Sequence, residues 1–344
     1  MLPEAGPLLL QWRRDKAQQL SAALKAFDAK VAHIDTDIRR ILADPAKRKE
    51  TFEGVSVIVN ATASLVVREV LASKSLSPRI AEAALFANAQ VGVMTLEGEN
   101  RNPNTGYLMS EVYQIMWKHP QRDAFFGSTA ATNVAIGQGC SSATFIASDA
   151  QISTHAAPMA GELQRLLTNG LPHQGQVQIG ITDGMSSHWT TQNVPSCHIV
   201  FPDHHKDWSI QLGDSAHRKI VLEVSQWPKV ETGGILIGRF AEIGQTFYIT
   251  DILAAPADSE RSATLFRLGT KGVKTALQEL VKATNGALYC LGTWHSHLAV
   301  SGPSNTDRAT AEAIGIAQLL PAVLLIHTPG GYRALLALKD GSDG

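Results

Sequence analysis

The sequence predicts an α/β chain in two parts, a helix–strand alternation over residues 1–205 and an α+β pattern over residues 206–344. Three observations carry this prediction. Short apolar runs such as "VSVIVNA" and "VQIGIT" have strand length, apolar spacing of helical period lies between several of them, and the turn-rich stretch "PDHHKDWSIQLGDS" at residues 202–215 divides the two patterns. At 344 residues and 44% hydrophobic, the chain is long enough to bury a sizeable core in two domains.

Leu20, Leu24 and Phe27 recur at helical spacing within residues 12–27, and residues 55–61 read as a buried strand. A second helix is expected over residues 64–72, with strands at 89–96, 177–182 and 197–201. Helices alternating with apolar runs suggest parallel strands, while residues 97–133 are rich in turn formers and resist assignment. Beyond the polar stretch come a helix over 217–226 and strands over 233–240 and 246–253. A helix follows at 272–284, with Val273, Leu277, Leu280 and Val281 along one stripe. A strand over 287–295, a helix from about Ser304 and closing strands at 322–327 and 333–338 complete the pattern.

Thirty basic against thirty-one acidic residues give a net charge of −1, so the overall balance leaves no electrostatic footprint for nucleic acid or an anionic membrane. Three cysteines, Cys140, Cys197 and Cys290, are too few for a disulfide framework and fit a reducing interior. The apolar patch near the N-terminus lacks a preceding basic segment and a small-residue cleavage site, and no run reaches membrane-spanning length. A cytoplasmic protein is expected.

The chemistry concentrates in "GTWHSHLAVSGPSNTD", residues 292–307. Side chains two apart on a strand share a face, so His295 and His297 can present imidazoles to one point while Trp294 and Ser296 face away. A catalytic zinc site needs three protein ligands, and Asp307 in the first turn of the following helix can supply the third. Ser304 and Asp307 equally satisfy a helix-capping box, which requires no metal. Glu231 stands just before the glycine-rich run "GGILIG", where a carboxylate can be held at a strand edge.

Together, Glu231, His295-Ser-His297 and Ser304-x-x-Asp307 resemble the JAB/MPN metallopeptidase family with its JAMM motif, over roughly residues 215–340. The resemblance implies a cytidine deaminase-like α+β fold in which His295, His297 and Asp307 hold zinc. It further implies that Glu231 is the acid/base toward a metal-activated water and that Ser304 stabilises the oxyanion. Leu298 stands where the family commonly has proline, and the loop to Ser304 is one residue shorter than the family pattern.

The segment "KAQQLSAALKAFDAKVAHIDTDI...FEGVSVIVNATASLVVREVL" resembles the middle of the ThiF-like adenylyltransferase domain of ubiquitin-activating-type enzymes, implying a partial Rossmann-like domain over residues 1–205. No G-x-G-x-x-G follows a first strand, and Asn60 and Ala63 stand where that family commonly has aspartates, so a truncated activating domain without magnesium–ATP chemistry is expected. "VAIGQGCSS" mimics a dinucleotide loop at Gly137 and Gly139 but sits too late in the chain. Cys140 within it is a candidate thioester cysteine, against the plainer reading of a turn or core residue. Cys197 and Cys290 are expected in the core, His204 and His205 in a solvated linker, and His155 at a helix start.

These resemblances imply a zinc-dependent peptidase or isopeptidase acting at the C-terminal glycine of a ubiquitin-like modifier. The expected setting is a bacterial conjugation system with activating and conjugating enzymes of the same operon. The alternatives are a non-catalytic modifier-binding scaffold and a remnant of an activating enzyme.

Overall fold

The computed structural model describes residues 16–25, 30–62, 64–127, 133–134, 144–145, 147–317 and 321–338. Met1–Gly54 is one compact unit and Val55–Gly344 a second. The first holds helices α1 (Lys16–Lys25), α2 (Ile38–Ala43) and α3 (Pro45–Phe52). Asp37 caps α2 by accepting from the Arg39 N–H, and Asp44 caps α3 by accepting from Ala46 and Lys47, with Pro45 at the first helical position.

The larger unit opens with β1 (Val57–Asn60), α4 (Leu65–Ser73) and β2 (Arg79–Phe86), a crossover that leaves β1 and β2 parallel. Ser64 caps α4 through the Val67 N–H. With β3 (Val91–Leu96), β6 (Gly175–Asp183) and β7 (Ser186–Val194) these strands form a five-stranded sheet of order β1-β2-β3-β6-β7. Every pair after β1–β2 is antiparallel, unlike the parallel layer expected from the helix–strand alternation. The connections explain two of these pairs, β2–β3 and β6–β7. β2 and β3 are joined by a tight turn with left-handed Ala87, Asn88 and Ala89, and β6 and β7 by a turn through left-handed Gly184, and such short links reach only an antiparallel neighbour. Two short strands, β4 (Asn133–Val134) and β5 (Thr144–Phe145), pair with each other.

The stretch that resisted assignment contains α5 (Thr105–Trp117) and the short α6 (Arg122–Phe126). Asn104 caps α5 by accepting from the Tyr107 N–H at 3.0 Å, and the buried Glu97 carboxylate accepts from the Thr105 N–H at 2.8 Å. Tyr107, Leu108, Met109, Val112 and Met116 are all buried, because α5 packs between the first sheet and strands of the second. A helix covered on all sides carries no amphipathic stripe to read. Helix α7 (Asp149–Asn169) opens with a Ser148–Gln151 capping box. His155 lies inside α7 rather than at its start, fully buried with Nε2 3.0 Å from the Ala89 carbonyl.

The second sheet has seven strands in the order β16-β15-β14-β10-β11-β9-β8. In chain order these are β8 (His198–Val200), β9 (Ser209–Leu212), β10 (Gly233–Ala241), β11 (Thr246–Ala254), β14 (Tyr289–Ser296), β15 (Ala322–Thr328) and β16 (Gly331–Ala337). Its first strand therefore precedes the polar stretch at residues 202–215. On one face Ala216 and Ile220 of α8 (Asp214–Gln226) pack with Phe247, Ile249, Trp294 and Leu325. On the other, Leu280 of α9 (Val273–Ala283) packs on Ile235 and Ile237, and Ala311 of α10 (Asn305–Ala317) on Leu324 and Leu335. This alternation is what a sheet covered on both faces requires. A small hairpin, β12 (Glu260–Arg261) and β13 (Phe266–Arg267), projects between β11 and α9. No described helix is long and apolar enough to cross a membrane.

Candidate metal centre

β14 ends at Ser296, and its pairing with β10 places His295 opposite Gly233. Gly233 and Gly234 sit where backbones close in: a Cβ on Gly233 would lie 2.3 Å from the Trp294 carbonyl oxygen, and one on Gly234 2.4 Å from that of Leu253. The glycines thus let the edge carrying Glu231 lie tight against the histidine strand. Glu231 itself, two residues before β10, is fixed through its N–H, which donates to the Ser262 carbonyl at 2.8 Å. Thr232 exchanges two bonds with Ser296, its N–H donating to Ser296 Oγ at 3.0 Å and its carbonyl accepting from the Ser296 N–H at 2.7 Å. The residue between the two histidines thereby ties the glutamate segment to them.

The histidines behave as their alternation predicts. Their Nε2 atoms lie 3.1 Å apart, His295 Nε2 is 3.1 Å from Asp307 Oδ1, and His297 Nε2 is 3.4 Å from Asp307 Oδ2. One ligand atom from each residue falls within a 4.8 Å cluster, a donor set that could hold a metal ion. His295 and Asp307 are buried and His297 half-buried. The capping box forms as well: the Ser304 N–H donates to Asp307 Oδ2 at 2.6 Å, and the Asp307 N–H donates to Ser304 Oγ at 3.2 Å. Capping and convergence are therefore compatible, because Asp307 has one oxygen toward each histidine while it closes the helix.

Glu231, His295, His297, Ser304 and Asp307 all line one cleft of about 370 Å³, walled by Ala263 to Phe266 of the β12–β13 hairpin and by Leu298. Burial pushes the Glu231 carboxyl up, opposed by His295 and assisted by the charge of Asp307. Burial also acts upward on Asp307, but hydrogen bonds from His295 and Ser304 override it and hold that carboxyl well below the usual range. Burial, followed by the neighbouring His295, lowers His297. The site thus favours an ionised Asp307 beside a neutral His297, with the Glu231 carboxyl biased toward holding a proton.

Three features gave no sequence signal. Ser301 Oγ lies 2.9 Å from His297 Nδ1. Arg261, from the hairpin, stacks over Trp227 at 4.3 Å and donates to Thr232 Oγ1 at 3.2 Å. Ser296 bonds Thr232, and nothing in a single hydroxyl two places before Leu298 announces that. Of the remaining expectations, Cys140, Gly137 and Gly139 lie outside the described residues. Cys197 is buried and Cys290 half-buried, and burial raises both thiols. His204 is exposed, 3.1 Å from Arg308.

Residues 214–337 match the family of prokaryotic homologs of the JAB domain. A CD-NTase/cGAS isopeptidase from Enterobacter hormaechei subsp. hoffmannii (strain UCI 50) is 31% identical over 145 residues, covering 40% of this chain and 79% of that protein. By its match over residues 214–337 and by this relative, the chain belongs to the prokaryotic JAB-domain family.

Proposed function

We propose that the C-terminal part is a zinc-dependent isopeptidase or peptidase that hydrolyses the amide bond after the C-terminal glycine of a ubiquitin-like modifier. The observation that carries this reading is the convergence of His295, His297 and Asp307 in a cleft shared with Glu231. The donor spacing fits the ion: zinc bonds of about 2.0–2.1 Å separate tetrahedral ligand atoms by about 3.3 Å, and His295 Nε2 lies 3.1 Å from both His297 Nε2 and Asp307 Oδ1. Two imidazoles and one carboxylate also leave the fourth position that a catalytic site needs.

When bound, the metal supplies Lewis acidity, lowering the pKa of water and polarising the scissile carbonyl. Glu231 takes the proton of the attacking water and returns it to the leaving amine, a double role suited to a carboxyl whose pKa burial has raised. Ser304 Oγ accepts from the Asp307 N–H, so its own proton stays available for the oxyanion of the tetrahedral intermediate. The relative's name points to a conjugated CD-NTase/cGAS-type protein as the first substrate to try, beside activating and conjugating enzymes of the same operon as partners. Residues 1–205 lack the nucleotide-binding glycine loop, and we assign them modifier or partner engagement without adenylation.

The test is cleavage of a modifier fused through its terminal glycine to a reporter. Wild type cleaves it, and Glu231→Gln lowers turnover by about 10²–10⁴-fold while zinc content stays at one equivalent. Equal turnover by the two proteins, or none by either with zinc bound, overturns the catalytic reading, and the latter result favours a binding scaffold.

A further inference from the structure

His297 lies beyond the end of β14, so the sheet does not fix its ring as it fixes that of His295. Its backbone is anchored, the N–H donating to the His327 carbonyl at 2.8 Å. Among the described residues, its ring has one side-chain hydrogen bond apart from the metal-facing cluster: Nδ1 lies 2.9 Å from Ser301 Oγ. The geometry dictates the proton's place. For Nε2 to face Asp307 and His295 as a lone-pair donor, the neutral ring must carry its proton on Nδ1, and the hydroxyl is then the acceptor. The adjacent Val300 lies beside Gly330, its methyls 3.2 and 3.4 Å from where a Cβ on that glycine would stand. The loop thus rests on the β15–β16 turn.

We propose that Ser301 is a positioning residue that selects the Nδ1-protonated tautomer of His297 and so presents Nε2 to the metal. This rests on the metal-centre reading above, and it concerns ligand orientation rather than substrate contact. Removal of such an outer partner typically weakens metal affinity by about 10–100-fold.

The experiment measures zinc affinity of the full chain by chelator competition, and the His297 tautomer by ¹⁵N chemical shifts in the metal-free protein. Ser301→Ala is expected to lose affinity by about 10–100-fold and to show a mixed His297 tautomer. Ser301→Thr, which keeps the hydroxyl, restores both. Wild-type affinity and a single Nδ1-protonated tautomer in Ser301→Ala would overturn this inference alone. Failure of the unmodified chain to bind zinc would overturn it together with the metal-centre reading. Weaker zinc binding by Ser301→Ala with an unchanged tautomer would also refute it, since the loss would then come from the loop and not from the ring.

Discussion

Glu111 is buried in the middle of α5, the helix that lies between the two sheets, and its replacement by glutamine gives a quantitative test of the packing there. Burial raises its carboxyl from an ordinary 4.5 to about 7, with the Tyr107 hydroxyl at 3.1 Å and Lys118 opposing the rise and Asp251 adding to it. Because the folded-state pKa lies above the unfolded one, the folded protein binds the extra proton between these values. The group's contribution is therefore fully present below about pH 4.5 and is lost as pH rises through about 7. The interval from 4.5 to about 7 amounts to about 3 kcal/mol at 1.36 kcal/mol per pH unit. Glu111→Gln keeps an acceptor for Tyr107 Oη and removes the titration. Urea unfolding with chelator present, from pH 5 to 8, is expected to show wild type and variant nearly equal at the acid end. At pH 8 the variant should be more stable by up to about 3 kcal/mol. Histidines that titrate in this window are common to both proteins and cancel in the difference. A difference that stays constant with pH would refute a protonated carboxyl at this position.

Glu231→Gln is expected to lower kcat by about 10²–10⁴-fold with zinc retained, read by turnover of the glycine-linked fusion and by metal analysis. Ser304→Ala should lose about 10²–10³-fold in kcat and about 1 kcal/mol of stability through the α10 cap; unchanged kcat would confine Ser304 to capping. Gly234→Ala places a Cβ 2.4 Å from the Leu253 carbonyl oxygen and 2.8 Å from Trp294 Nε1. It should lower the thermal midpoint by several degrees, a shift of about 1–3 kcal/mol for an overpacked site, and a wild-type midpoint would contradict the close approach at β10.

The alternation His295-Ser-His297 and the helix-opening Ser304-x-x-Asp307 were readable because each is a local rule, period two on a strand and a four-residue cap. Both survive in the structure with their side chains where those rules send them. Strands β10, β11, β14 and β15 were equally legible as apolar runs bounded by polar residues. Helix α5 was not, because burial on every side removes the stripe by which a helix is recognised. The antiparallel order of the first sheet was hidden for another reason. It depends on turns through left-handed Ala87, Asn88 and Ala89, a conformation these residues seldom announce. The sequence by itself determined which donors exist and on which face of their own element each lies. Tertiary structure alone decided that Asp307 returns to within 3.1 Å of His295, that Ser296 ties Glu231's neighbour to the histidine strand, and that Ser301 reaches His297. Those distances are set by the register of β10 on β14 and by the seat of α10 on β15 and β16, which depend on packing between residues far apart in the chain.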